Sequence, residues 1–193
     1  MSGIKLIVGL GNPGADYAET RHNAGAWFVL QLARTLKITL RHDKTYPGFH
    51  SDAEQNGHRF HLFIPATFMN VSGTSVNTYA KYYKILPEDI LVAHDEIDIP
   101  VGDIRLKFDG GHGGHNGLRD IIQCMGTNKF HRLRIGVGRP LRSKDVVDYV
   151  LKPPKKTERE KIDSALQNAF CILPDLLKGE FQKAMHTLHT KEA

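Results

Sequence analysis

The run IKLIVGL (4–10) is continuously apolar and β-branched, and GNPG stops it. That is the pattern of a strand buried on both faces rather than a half-exposed edge. Residues 23–38 are too long and too apolar for a second strand, and they predict a buried helix carrying Trp27, Phe28, Leu32 and Leu36. RFHLFIP (59–65) alternates as a strand does and stops at Pro65. Asn70 and Ser72 are capping residues for a helix in which Val76, Tyr79, Ala80 and Tyr83 recur at i, i+3, i+4 and i+7. DILVAHD (89–95) and LRIGVG (133–138) predict further strands, and DIRLKF (103–108) alternates so that one face meets water. Between them, Leu118, Ile121, Ile122 and Met125 keep helical spacing. LKPPKKTERE (151–160) reads as a connector to an amphipathic C-terminal helix of Ile162, Ala165, Leu166, Ala169 and Leu173, which Pro174 ends or kinks. There is no internal repeat. Strands alternating with helices predict one domain over residues 1–193: an α/β three-layer sandwich with a twisted, mostly parallel, mixed sheet flanked by helices.

Composition narrows the class. The 193 residues are 40% hydrophobic, with nine Phe, six Tyr and one Trp, enough for a real core, so disorder is excluded as the main state. No run of about 18 apolar residues exists to span a membrane. The opening MSGIKLIVGLGNPG lacks the charged, apolar, small-residue order of a signal peptide. Cys124 and Cys171 are too few for a disulfide scaffold, which predicts a reduced cytoplasmic protein. Twenty-six basic against 21 acidic residues leave a formal charge of +5, which permits an anionic partner without demanding one.

GLGNPG (9–14) formally matches the G-x-G-x-x-G dinucleotide fingerprint after a strand. In a true fingerprint a helix starts inside the motif and presents free N–H groups to a pyrophosphate. Here Pro13 removes one donor, and ADYAETRHN delays the helix to about residue 22. The ribose-binding acid expected about 20 residues on is also missing from VLQLARTLKITLRH. A turn that holds the amide of Asn12 at the carboxyl end of a strand fits better, since open α/β sheets place their sites there.

His22 follows that polar loop and immediately precedes the buried helix, so it stands on the same rim. Asp95 ends the strand DILVAHD at a matching position. A carboxylate beside a histidine fixes its tautomer and stabilises its protonated form, as a general base requires. The plainer alternative is a histidine capping a helix and an aspartate opening a turn. No G-x-S-x-G elbow supplies a nucleophile, and both cysteines lie in helical patterns, so a working pair would activate water. His58/His61 and His112/His115 are spaced H-x-x-H; zinc would want further ligands in defined geometry, and in a strand this spacing points His58 and His61 to opposite faces. The remaining polar-stretch histidines, His42, His50, His186 and His189, read as idle surface residues. Asn12, Asn70 and Asn116 each sit where a cap is ordinary. Converging on one rim, they would suit a substrate rich in peptide groups, or would donate to a developing oxyanion.

DGGHGGHNG (109–117) has five glycines in nine residues, either a flexible connector or a mobile rim to a large substrate's site. Arg105 and Lys107 share one face of their strand, and Arg132 and Arg134 share one of theirs. Such faces are often only solvated; beside a site they would form a phosphate-binding patch.

Taken together, VGLGNPGADYAETRHNAGAWF, PATFMNVSG, VAHDEIDIPVG and GGHGGHNGLRDI closely resemble bacterial peptidyl-tRNA hydrolases, over residues 4 to about 185. The resemblance implies a monomeric α/β enzyme, without metal or organic cofactor. Its substrate would be peptidyl-tRNA, cleaved at the ester between the peptide and the 3′ ribose, so that tRNA from aborted translation is recycled. It implies that His22 is catalytic, with Asp95 its partner, and that Asn12, Asn70 and Asn116 position substrate with Tyr17 lining the same cleft. It further implies that Arg105, Lys107 and Arg134 meet tRNA phosphates. A non-catalytic RNA-binding protein or a nucleotide-dependent oxidoreductase is the alternative. The first would be free to lose His22 or Asp95, and the second would need the missing ribose acid.

Overall fold

Alternate residues of the apolar runs face opposite ways, and helices cover both faces. In the computed structural model, which describes residues 2–190, Ile7, Leu91 and Ala93 enter one hydrophobic cluster while Leu6, Val8, Ile90 and Val92 enter another. The strands are β1 (Leu6–Gly9), β2 (Arg41–Asp43), β3 (Gly48–Gln55), β4 (His58–Pro65), β5 (Ile90–Glu96), β6 (Ile104–Phe108) and β7 (His131–Gly136). They form one sheet in the order β2-β3-β4-β1-β5-β7-β6. Its centre, β4-β1-β5-β7, is parallel, and β2, β3 and β6 complete the edges antiparallel.

The helices are α1 (Ala15–Ala18), α2 (Ala24–Thr35), α3 (Ser72–Tyr82), α4 (Asn116–Met125), α5 (Val146–Val150), α6 (Lys156–Ala169), α7 (Leu173–Lys178) and α8 (Phe181–His189). Residues of α2, α6, α7 and α8 fill the first cluster, and residues of α3 and α4 the second. The three-layer α/β sandwich is therefore as expected. Among the described residues no helix is long and apolar enough to cross a membrane.

Several elements differ from the sequence expectations. GFHSDAEQ shows no apolar alternation, yet it is β3, because it pairs with β4 along its whole length. The 23–38 helix starts at Ala24, after a 3-10 turn over Arg21–Asn23, and ends at Thr35, with Lys37 left-handed at φ 56°. The stretch ADYAETRHN is not all loop, since α1 occupies its start. The connector 151–160 is shorter than expected: α6 begins at Lys156, and the Glu158 carboxylate accepts the Lys155 N–H at 2.9 Å. Pro174 neither ends nor kinks that helix. α6 stops at Ala169, and Pro174 stands in the first turn of α7, where a missing N–H is harmless. His189 of α8 is not idle, since its Nε2 accepts the Leu106 N–H of edge strand β6 at 2.9 Å.

Candidate active site

Two close backbone approaches bring the site together. A side chain at Gly25 would meet the Ala93 carbonyl at 2.1 Å, and one at Gly9 the Gly25 carbonyl at 2.4 Å. Glycine at both positions lets the start of α2 lie directly on β1 and β5. His22, in the turn before α2, thereby reaches Asp95 near the end of β5.

The imidazole of His22 donates its Nδ1–H to the Asp95 carboxylate, 2.9 Å from Oδ1 and 3.0 Å from Oδ2. Asp95 is buried, and a second imidazole also serves it: His115 Nε2–H donates to Oδ1 at 2.8 Å. His115 is the N-cap of α4, and its Nδ1 accepts the Leu118 N–H at 3.4 Å. These partners assign the tautomers. His115 is occupied on both nitrogens, while His22 keeps the lone pair of Nε2. Burial lowers the His22 pKa, but the charge and hydrogen bond of Asp95 raise it by more, so the net shift is upward. Burial alone would raise Asp95, yet the two histidines hold it well below the ordinary carboxylate range. Beside them, the wholly buried His94 is pushed down to about 3 by burial and His115, and stays neutral.

His22, Asp95 and His115 line a cleft of about 380 Å³ at the carboxyl ends of β1 and β5. Asn12, Asn70 and Asn116 line it too, as do Phe68, Met69 and the glycine-loop residues His112, Gly113 and Gly114. The three asparagines thus converge. Asn12 and Asn23 bind one another: the Asn12 N–H donates to Asn23 Oδ1 at 2.8 Å, and Asn23 Nδ2 donates to the Asn12 carbonyl at 2.9 Å. Asn12 Oδ1 accepts the Met69 N–H at 2.7 Å, which leaves its amide N–H groups for the cleft. Asn70 and Asn116 are exposed.

Tyr17 is half-buried and packs edge-on against the exposed Phe68 of the cleft, with ring centroids 6.0 Å apart. Val146, Val147 and Val150 of α5 form an apolar wall that sequence reasoning missed. Their signal was the short apolar run VVDYV after the capping residue Asp145. Sequence spacing presents His115 only as half of an H-x-x-H pair; nothing local announces its contact with Asp95.

His22, Asp95 and His115 offer ligand atoms within 4.8 Å of one another, a spacing a metal ion could share. Both imidazoles already direct an N–H at the carboxylate, and the other nitrogen of His115 accepts a backbone N–H. A cation would have to displace both bonds and reverse the His115 tautomer. The donor set suits a hydrogen-bonded relay better than a cation.

The expected basic face is divided. Antiparallel register places Arg105 opposite Arg134 and Lys107 opposite Arg132. Arg105 and Lys107 are exposed. Arg134 is half-buried and paired with Glu96, Nε to Oε2, at 3.0 Å. Arg132 is buried.

Residues 6–193 match the family model described as Peptidyl-tRNA hydrolase. Peptidyl-tRNA hydrolases of Shewanella denitrificans and Pseudomonas putida are 53% and 51% identical to this chain, each over the whole of both chains. The crystal structure of the Acinetobacter baumannii peptidyl-tRNA hydrolase is 48% identical, with a TM-score of 0.95, and the match covers 100% of this chain and 97% of that one. Sequence and fold agree over the full length, and the chain belongs to the peptidyl-tRNA hydrolase family.

Proposed function

We propose that this protein hydrolyses the ester between a peptide, or an N-blocked amino acid, and the 3′ ribose of tRNA, releasing free tRNA. His22 Nε2 takes a proton from water, and the resulting hydroxide attacks the ester carbonyl. The proton then passes from His22 to the departing ribose oxygen. Asp95 orients the ring and stabilises the imidazolium, and His115 keeps that carboxylate ionised and fixed. An ester needs less leaving-group help than an amide, so one base with oxyanion donors suffices.

Asn12, Asn70 and Asn116 hold the peptide groups, each amide able to donate and accept. Arg105 and Lys107, with Arg134 beside them, hold tRNA phosphates and favour a polyanion over free peptide esters. The protein works as a cytoplasmic monomer and needs no metal or cofactor. The observation that carries it is the free Nε2 of an imidazole whose other nitrogen is held by a buried, ionised carboxylate, in a cleft lined with amides.

Incubating purified peptidyl-tRNA with the protein and a chelator should release free tRNA. Intact substrate after incubation, with tRNA still bound, would favour an RNA-binding protein without catalysis.

A further inference from the structure

Arg132 belongs by spacing to the basic strands, in register with Lys107 and two residues from Arg134. It does not face water: it is 3% exposed, and its guanidinium lies 4.8 Å from the Phe130 ring centroid. Its two terminal nitrogens donate to the carbonyls of Gly111 and Gly110, each at 2.5 Å. A planar, two-pronged donor on successive carbonyls fixes the direction of the backbone, which a single donor cannot do. The gripped pair opens the glycine loop. Gly110, Gly113 and Gly114 all have positive φ, and the loop's own bonds are short-range: His112 Nδ1 accepts the Gly114 N–H at 3.0 Å and the His112 carbonyl the His115 N–H at 2.9 Å. Asn128 adds only a 3.5 Å contact to Gly110. Downstream, the same loop delivers His115 to Asp95 and Asn116 to the cleft.

We propose that Arg132 is a positioning residue for the hydrolysis: it anchors Gly110–Gly111 so that His115 stays on Asp95, and it is not a phosphate contact. The proposal rests on the assignment of His22 and Asp95 to the reaction. Arg132 therefore acts on turnover, while its neighbours Arg105 and Lys107 act on tRNA affinity.

The test compares Arg132→Lys and Arg132→Gln with wild type. Turnover of peptidyl-tRNA should fall by roughly 10–100-fold, since small displacements of catalytic groups cost that much. KM, and the salt dependence of tRNA affinity, should stay as in wild type. In a His115→Ala background, Arg132→Lys should lower turnover little further, because the two act through one contact. Proton NMR adds a readout independent of activity: two low-field imidazole protons are expected in wild type, and Arg132→Lys should broaden that of His115 while leaving that of His22. A flattened salt dependence at unchanged turnover would make Arg132 a phosphate ligand and overturn the proposal. So would full multiplication of the Arg132 and His115 effects, or failure of both variants to fold. If the wild type released no tRNA, the functional reading would fall, and the His115 resonance would still decide whether Arg132 holds the loop.

Discussion

At His22, burial and Asp95 pull the imidazole in opposite directions, and the carboxylate wins. A general base must be neutral, so kcat/KM should rise with pH through a value above 6.5, the ordinary imidazole value. Asp95→Asn removes the opposing charge and leaves burial, so the acid limb should move to lower pH while the plateau falls. A profile that kept its midpoint in Asp95→Asn would separate the two residues. His22→Ala should lose about 10²–10⁴ in turnover, the usual contribution of general base catalysis, at unchanged affinity for uncharged tRNA. Near wild-type turnover would remove His22 from the mechanism. Asn70→Ala should weaken use of an N-blocked aminoacyl-tRNA but not binding of uncharged tRNA; equal losses would assign Asn70 to the RNA site or the fold.

The elements that carry these residues meet through backbone contacts as well as side chains. Arg21, next to His22, donates to the carbonyls of Tyr149, Lys152 and Pro153 and to Glu158, which ties the turn of His22 to α5, the connector and α6. Gly25 shows how context decides sign. In an exposed helix, Gly→Ala stabilises by roughly 0.5–1 kcal/mol. Here the added methyl would meet the Ala93 carbonyl at 2.1 Å, so α2 must shift from β5. Gly25→Ala should therefore destabilise by about 1–3 kcal/mol, as overpacking does, and lower turnover by displacing His22. Denaturant unfolding alongside kcat measures both. A stabilised, fully active variant would show that the approach is not needed.

Over the whole molecule the formal charge is +5, and some of the cations stand on edge strand β6. Arg105 and Lys107 stand exposed on β6, whereas Arg134 is compensated by Glu96. Arg105→Ala and Lys107→Ala should each flatten the salt dependence of tRNA affinity by about one phosphate contact, and Arg134→Ala by less. Hydrolysis of a short peptidyl ester without a tRNA body should be spared in all three. Parallel lines of affinity against salt would leave these strands as ordinary solvated surface.

The apolar periods by themselves determined the central strands, the main helices and hence the layered class, because period 2 and period 3.6 are local properties of the chain. Position at the ends of those runs made His22, Asp95 and three asparagines candidates, and only the family resemblance gave them roles. Tertiary structure decided the rest. β3 lacks apolar alternation, with Phe49 and Ala53 as its apolar side chains, and becomes a strand through the ladder with β4. Tyr17 meets Phe68 across 51 residues of sequence, a contact that no local pattern ranks. His115 and Arg132 lie 20 and 37 residues beyond Asp95, on either side of α4. The glycine run between Arg132's carbonyl partners and His115 is bonded internally only across two or three residues, at His112. Its course is set by hydrogen bonds to β5 and β7 residues, which exist only once the sheet has formed.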